Sequence, residues 1–185
     1  MDIFETIRIR RSVRDYKSDP IPEEKLRKVL DVMRQAPSAG NRQPWKFIIV
    51  KDAKIRQEMV VTCGAQPFLS QAPVVVVACG IEKVAWHGVG GNRSASAVDI
   101  DVSIALTYLT LAATAEGLGT CWISAFNEAC FKRLLKVPEE AKIVSVTPLG
   151  YPASPDLLHP IKENARKSFN EVFCDNVYSY KDETI

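Results

Sequence analysis

The segment VDIDVSIALTYLTLAATAEGLG, from Val98 to Gly119, is apolar on nearly every side of a helical projection. Such a helix needs cover all round, so it belongs inside the fold or in a subunit interface. Gly117 is placed to end it. Its apolar run VSIALTYLTLAATA is short for a bilayer crossing and is studded with threonine, which argues for a protein core. A chain of 185 residues forms one domain large enough to bury most of its apolar surface. The rest of the sequence therefore has to supply layers that pack on this helix.

Those layers are readable in outline. Asp2 and Glu5 have the spacing of a capping box, and Phe4 and Ile7 share a face of a first helix. DYKSDPIP breaks the pattern, and Pro22 with Glu23 and Glu24 opens a second helix. There Leu26, Val29, Leu30 and Met33 form one apolar stripe, which stops before Pro37. KFIIV and PVVVVACG read as buried strands, with AKIRQEMVVTCG as a helix between them. TCWISAF and KIVSVTPLGYP read as two more strands around a short helix from Glu128 to Lys136. The tail from Ala153 is polar, with aromatic anchors at Phe169, Phe173, Tyr178 and Tyr180. Neither a repeat nor a second domain is evident, so residues 1–185 read as one α+β domain with a sheet between helices.

Several function classes fall away. A net charge of +2, with 25% charged residues, does not suggest a surface built for nucleic acid or membrane. The N-terminus lacks a signal-peptide core. The five cysteines form no CxxC pair, and His87 and His159 stand far apart, which disfavours a zinc site. Thiols suit a reducing cytosol, so the expected location is cytoplasmic. Cys79 and Cys121 lie in apolar runs and read as buried and inert, and neither Cys63 nor Cys121 has a resolving cysteine nearby in sequence. There is no GxSxG or HExxH, and GLGTCW lacks the third glycine and the preceding strand of a dinucleotide fingerprint. If the chain is an enzyme, a bound cofactor carries the hard chemistry.

Two polar segments remain. In RIRRSVR, the arginines and serine offer paired donors that suit a phosphate, and on a helical continuation Arg10 and Arg14 share a face. Taken alone, the cluster reads equally as a solvated basic face. PSAGNRQPW offers backbone amides and short polar side chains suited to a flat polar ligand, or else is a plain connector between helix and strand.

RRSVRDY, APSAGNRQPWKFIIV, GLGTCWISAF and PLGYP, in that order, together resemble the nitroreductase family over about Phe4 to Phe173. The resemblance implies a homodimeric α+β fold with a central, mostly antiparallel sheet flanked by helices. It implies flavin mononucleotide (FMN) at two interface sites built from both subunits. Arg10, Arg11 and Ser12 then match the phosphate and ribityl region, and Arg14 a cation near the pyrimidine edge of the ring. Pro37, Ser38, Ala39, Asn41 and Gln43 would come from the partner subunit. Trp122, Ile123, Ser124 and Ala125 match the strand end along the isoalloxazine, and Arg166 and Lys167 a basic pair returning to the phosphate. The C-terminal segment 153–185 would pack on the partner, and the 84–96 loop is a candidate substrate lid.

The implied activity is ping-pong reduction of electron-poor small molecules, such as nitroaromatics or quinones, with NADH or NADPH as reductant and no catalytic side chain required. The alternatives are a specialised flavoprotein of the same fold (a reductive dehalogenase, a flavin-fragmenting enzyme or an enoate-type reductase), or a non-catalytic protein binding anions or nucleic acid.

Overall fold

The structure is a computed structural model and describes residues 1–88, 96–162 and 164–178. Its centre is a four-stranded antiparallel sheet, β1 (Trp45–Val50), β2 (Val74–Ile81), β3 (Gly119–Thr120) and β4 (Ala141–Gly150), in the spatial order β1-β2-β4-β3. Around it lie α1 (Ile3–Ile9), α2 (Glu23–Arg34), α3 (Ala53–Val61), α4 (Val98–Ala115), α5 (Glu128–Leu135) and α6 (Phe169–Val172).

The valine run of β2 is buried on both faces, which explains its unbroken apolar character. Val74, Val76 and Ala78 face α2 and α4, packing with Leu26, Val29, Met33, Val102, Leu106 and Leu109. Val75, Val77 and Cys79 face the opposite way, towards Met59 after α3 begins and Phe131 of α5. Two cores thus sandwich one sheet, each fed by alternate residues of the same strand. A bulge in β4 opposite Ala78 and Cys79 inserts one extra residue, so Ile143 and Val146 reach the same core despite their odd spacing.

The long apolar segment is α4, and Gly117 terminates it with φ +73°. At 18 residues it is, by length and composition alone, long and apolar enough to cross a membrane, contrary to the sequence reading. Its apolarity is used inside the protein, where Val102, Ala105, Leu106, Leu109 and Ala113 are fully buried. Ile100 and Tyr108 on its other side remain exposed.

The cysteine reading needs a correction. Cys63, just past α3, and Cys130, in the first turn of α5, form a disulfide across 67 residues of sequence. No short motif signals it, because the two helices meet only through the second core. Cys79 and Cys121 are buried as expected, and burial pushes both thiols up, that of Cys79 to about 11.

Candidate flavin site

α1 stops at Ile9, and the chain leaves it in an extended conformation at Arg10. The expected helical continuation through Arg14 does not form, so the sharing of a face is decided by a two-residue period. Val13 turns inward, 1% exposed, and its N–H donates to the carbonyl of Thr120 at 2.9 Å, while Ser12 pairs with Thr120 in a parallel bridge. Arg10, Ser12 and Arg14 all lie near Cys121, as alternate residues of an extended chain should. Gly119 makes this approach possible. A Cβ there would sit 2.7 Å from Val13 Cγ2. The Tyr16 hydroxyl, donating to the Val13 carbonyl at 2.7 Å, pins the other end.

Arg11 is the unusual member. Its Nη2 is buried with no hydrogen-bond partner. Desolvation lowers its pKa, and the positive charges of Arg10 and Arg166 lower it further. Arg166 therefore returns from the C-terminal segment to the same place, whereas Lys167 stands near Glu171. Three guanidinium groups drawn together at such a cost have the donor set and charge for a phosphate-sized anion.

TCWISAF forms less strand than its composition suggests. Gly119 and Thr120 pair with Gly150 and Leu149, and Ile123 pairs with Val146, all in one register. That register puts Cys121 opposite Pro148. Since Ile123 and Val146 exchange both backbone hydrogen bonds, a bonded pair two residues earlier would need an N–H that Pro148 lacks. The ladder opens there, and Trp122 emerges 40% exposed beside the arginine segment. Ile123 turns its side chain into the core and has only main chain to offer, while Ser124 and Ala125 are exposed.

The Pro37–Gln43 loop has a different construction. Gly40, Asn41 and Gln43 all have positive φ, at 58°, 53° and 49°. Two of these are not glycine, so the backbone is strained and must be held by its surroundings. Gln43 N–H donates to Ser38 Oγ at 2.9 Å, and Gln43 Nε2 donates to the Asn41 carbonyl and Oδ1, both at 3.2 Å. Arg42 reaches the Ala85 carbonyl, and Ala39 N–H donates to Asp101 Oδ1 at 3.0 Å. Asn41 and Gln43 stay exposed, with Ser38 and Ala39 half-buried and Pro37 exposed.

Asp101 belongs to the first turn of α4, whereas Thr120 follows its C-terminal end. About 25 Å of helix axis separates Asp101 from the turn at Gly117. The structure thus brings Arg10, Arg11, Ser12, Arg14, Trp122 and Arg166 together and holds residues 37–43 at the opposite end of α4. The proposed lid is defined only at its base, where His87 pairs with Ser96. Residues 89–95 lie outside the described residues.

The sequence profile of the Nitroreductase family matches residues 7–63 and 58–151, which include every one of these segments except Arg166 and its surroundings. The chain belongs to the nitroreductase family. This family member is 32% identical over 171 residues to an NADH dehydrogenase of Thermus thermophilus, spanning 78% of this chain and 83% of that protein. It is also 32% identical over 179 residues to a 5,6-dimethylbenzimidazole synthase of Rhodospirillum rubrum, spanning 85% and 83%. An FMN-dependent nitroreductase of Clostridium difficile R20291 superposes with a TM-score of 0.79 at 25% identity, covering 94% of this chain and 99% of that one.

Asp101 was not singled out by sequence reasoning, although it is only 2% exposed and holds the loop. Its signal was present in part: the largely apolar helix carries two carboxylates, Asp99 and Asp101, and one turned into the fold has to meet a donor.

Proposed function

We propose that this chain is an FMN-dependent oxidoreductase that takes hydride from NADH or NADPH and reduces small electron-poor acceptors, nitroaromatics or quinones among them. The observation that carries the reading is the gathering of Arg10, Arg11 and Arg166 around a buried, partnerless Nη2. A phosphate there satisfies the orphan donor and removes the mutual repulsion. Arg10, Arg11, Ser12 and Arg166 would hold the phosphate and ribityl chain, with Lys167 close by. Arg14 would set a positive charge near the pyrimidine edge of the ring. Trp122 and the backbone of Ile123, Ser124 and Ala125 would form its wall. FMN, when bound, supplies the electron transfer between reductant and acceptor, which occupy the same surface in turn. The protein then needs only to bind, orient and tune.

Completion of each site by a second subunit rests on two supports. One chain holds its two half-sites at opposite ends of α4, and two copies running antiparallel along that helix would bring the partner subunit's Asn41 to the arginines. Exposed apolar side chains mark the surfaces such a dimer would cover: Phe4 and Ile7 on α1, Ile100 and Tyr108 on α4, and Phe169, Phe173 and Tyr178 in the tail.

A visible absorption spectrum tests the reading. The purified protein, loaded with FMN and desalted, should keep a yellow flavin spectrum that NADH or NADPH bleaches and a nitroaromatic or quinone restores. A protein that stays colourless after loading overturns it.

A further inference from the structure

The disulfide between Cys63 and Cys130 lies away from the arginines and the loop, in the second core. A groove of about 280 Å³ opens directly on it, lined by Glu58, Thr62, Cys63, Cys130, Arg133 and Leu134. That volume lies just below the ~300–1,000 Å³ typical of small-molecule sites. Glu58 and Arg133, on α3 and α5, are both exposed and give the groove one anionic and one cationic side chain. We propose that the groove and the bridge form a thiol–disulfide exchange site for a small zwitterionic thiol. Arg133 takes a carboxylate of that thiol and Glu58 its ammonium.

The two sulfurs are not equivalent. Cys130 is 7% exposed and Cys63 is 1%, so attack falls on Cys130. The incoming thiolate bonds to Cys130 Sγ, the Cys63–Cys130 bond breaks, and its electron pair leaves with Cys63 Sγ, which takes a proton. A second thiolate then attacks the sulfur of the small thiol in the mixed disulfide and expels Cys130 as thiolate, which takes the second proton. Two small thiols become one small disulfide, and the protein gains two electrons and two protons.

The exchange has a short structural path to the candidate flavin wall. The Cys63 carbonyl accepts the Asn127 N–H at 3.1 Å, and Asn127 Oδ1 accepts the Cys130 N–H at 3.0 Å. Asn127 stands two residues beyond Ala125. Asn127 thus ties the main chain of both bridge cysteines to the root of the Trp122–Ala125 segment.

The probe is glutathione, used on the full chain. Of the five cysteines, two are in the bridge, leaving three thiols to be titrated in denaturant. After native incubation with millimolar glutathione, removal of the reagent and quenching, five should titrate. After incubation with glutathione disulfide, which supplies the oxidising equivalents, peptide mass spectrometry of Cys63→Ser should find glutathione on Cys130, whereas Cys130→Ser should leave Cys63 unmodified over the same time. Arg133→Ala, which keeps both cysteines, should slow exchange with glutathione about ten-fold and leave exchange with the neutral thiol 2-mercaptoethanol unchanged. Five thiols before any reductant, after equilibration with glutathione disulfide, would overturn the bridge. Three thiols persisting in native protein at millimolar glutathione would make it a structural cross-link only. Equal rates with and without Arg133 would remove the proposed recognition.

Discussion

At one end of α4 a cluster of like charges is left wanting a ligand, and at the other most polar groups are spent on each other, although Asp101 Oδ2 there is buried without a partner. Arg11 near the C-terminal end has a buried donor without an acceptor, and Arg10 and Arg166 add like charge beside it. The Pro37–Gln43 loop near the N-terminal end closes hydrogen bonds through Ser38, Asn41, Gln43 and Asp101, and uses them to hold three residues at positive φ. The first arrangement gains most from an added anion. The second holds its shape through its own hydrogen bonds, with Asp101 Oδ2 left without a donor. A shared site built from both would draw its affinity from the arginine end and its shape from the loop end.

The comparison is broken most directly by mixing subunits. Arg11→Ala should weaken FMN binding by roughly ten- to a hundred-fold, because a charge-assisted hydrogen bond contributes about 1.5–3 kcal/mol. A flavin titration followed by fluorescence reads the loss. Co-expressed with Asn41→Ala, it should yield a mixed dimer with one intact site, since one site collects both substitutions and the other neither. Recovery of half the flavin per dimer is expected, and no recovery would place both half-sites in one subunit.

Asp101→Leu leaves the Ala39 N–H unpaired and should lower stability by about 1–3 kcal/mol in urea unfolding. Flavin affinity should fall with it as the loop relaxes. Asp101→Asn keeps an acceptor at Oδ1, and its loss in both measurements should be clearly smaller.

Gly119→Ala tests the other end through packing alone. The new Cβ would press on Val13, so a cost of about 1–3 kcal/mol in thermal or urea unfolding is expected. The displaced Ser12 should also weaken flavin retention, while the loop end is untouched. The smallest effect belongs to Asn41→Ala alone, which should lower stability by about 1 kcal/mol, because alanine tolerates φ 53° less well than asparagine and loses the acceptor for Gln43. Its flavin affinity should also drop several-fold.

Much of the fold was legible because its elements are periodic. The α2 stripe, the valine run of β2 and the end of α4 at Gly117 all follow from local pattern. TCWISAF misled because its composition suits a strand, while Pro148 on a neighbouring strand denies it the hydrogen bonds. The segment after α1 misled in a similar way. Arg10, Ser12 and Arg14 do meet, through an extended chain fixed by Thr120 instead of a helix. Asp101 was visible as a buried charge in waiting, but its partner, a backbone amide 62 residues earlier, was not.

By itself, then, the sequence determined the α+β layering, the central place of the apolar helix and the four segments that mark the family, because burial period and turn chemistry act over a few neighbouring residues. Only the tertiary structure decided that three arginines share one point, that the loop lies a helix length away, and that Cys63 finds Cys130. Those are meetings between residues distant in sequence, and they depend on where helices and strands pack, which no local pattern specifies.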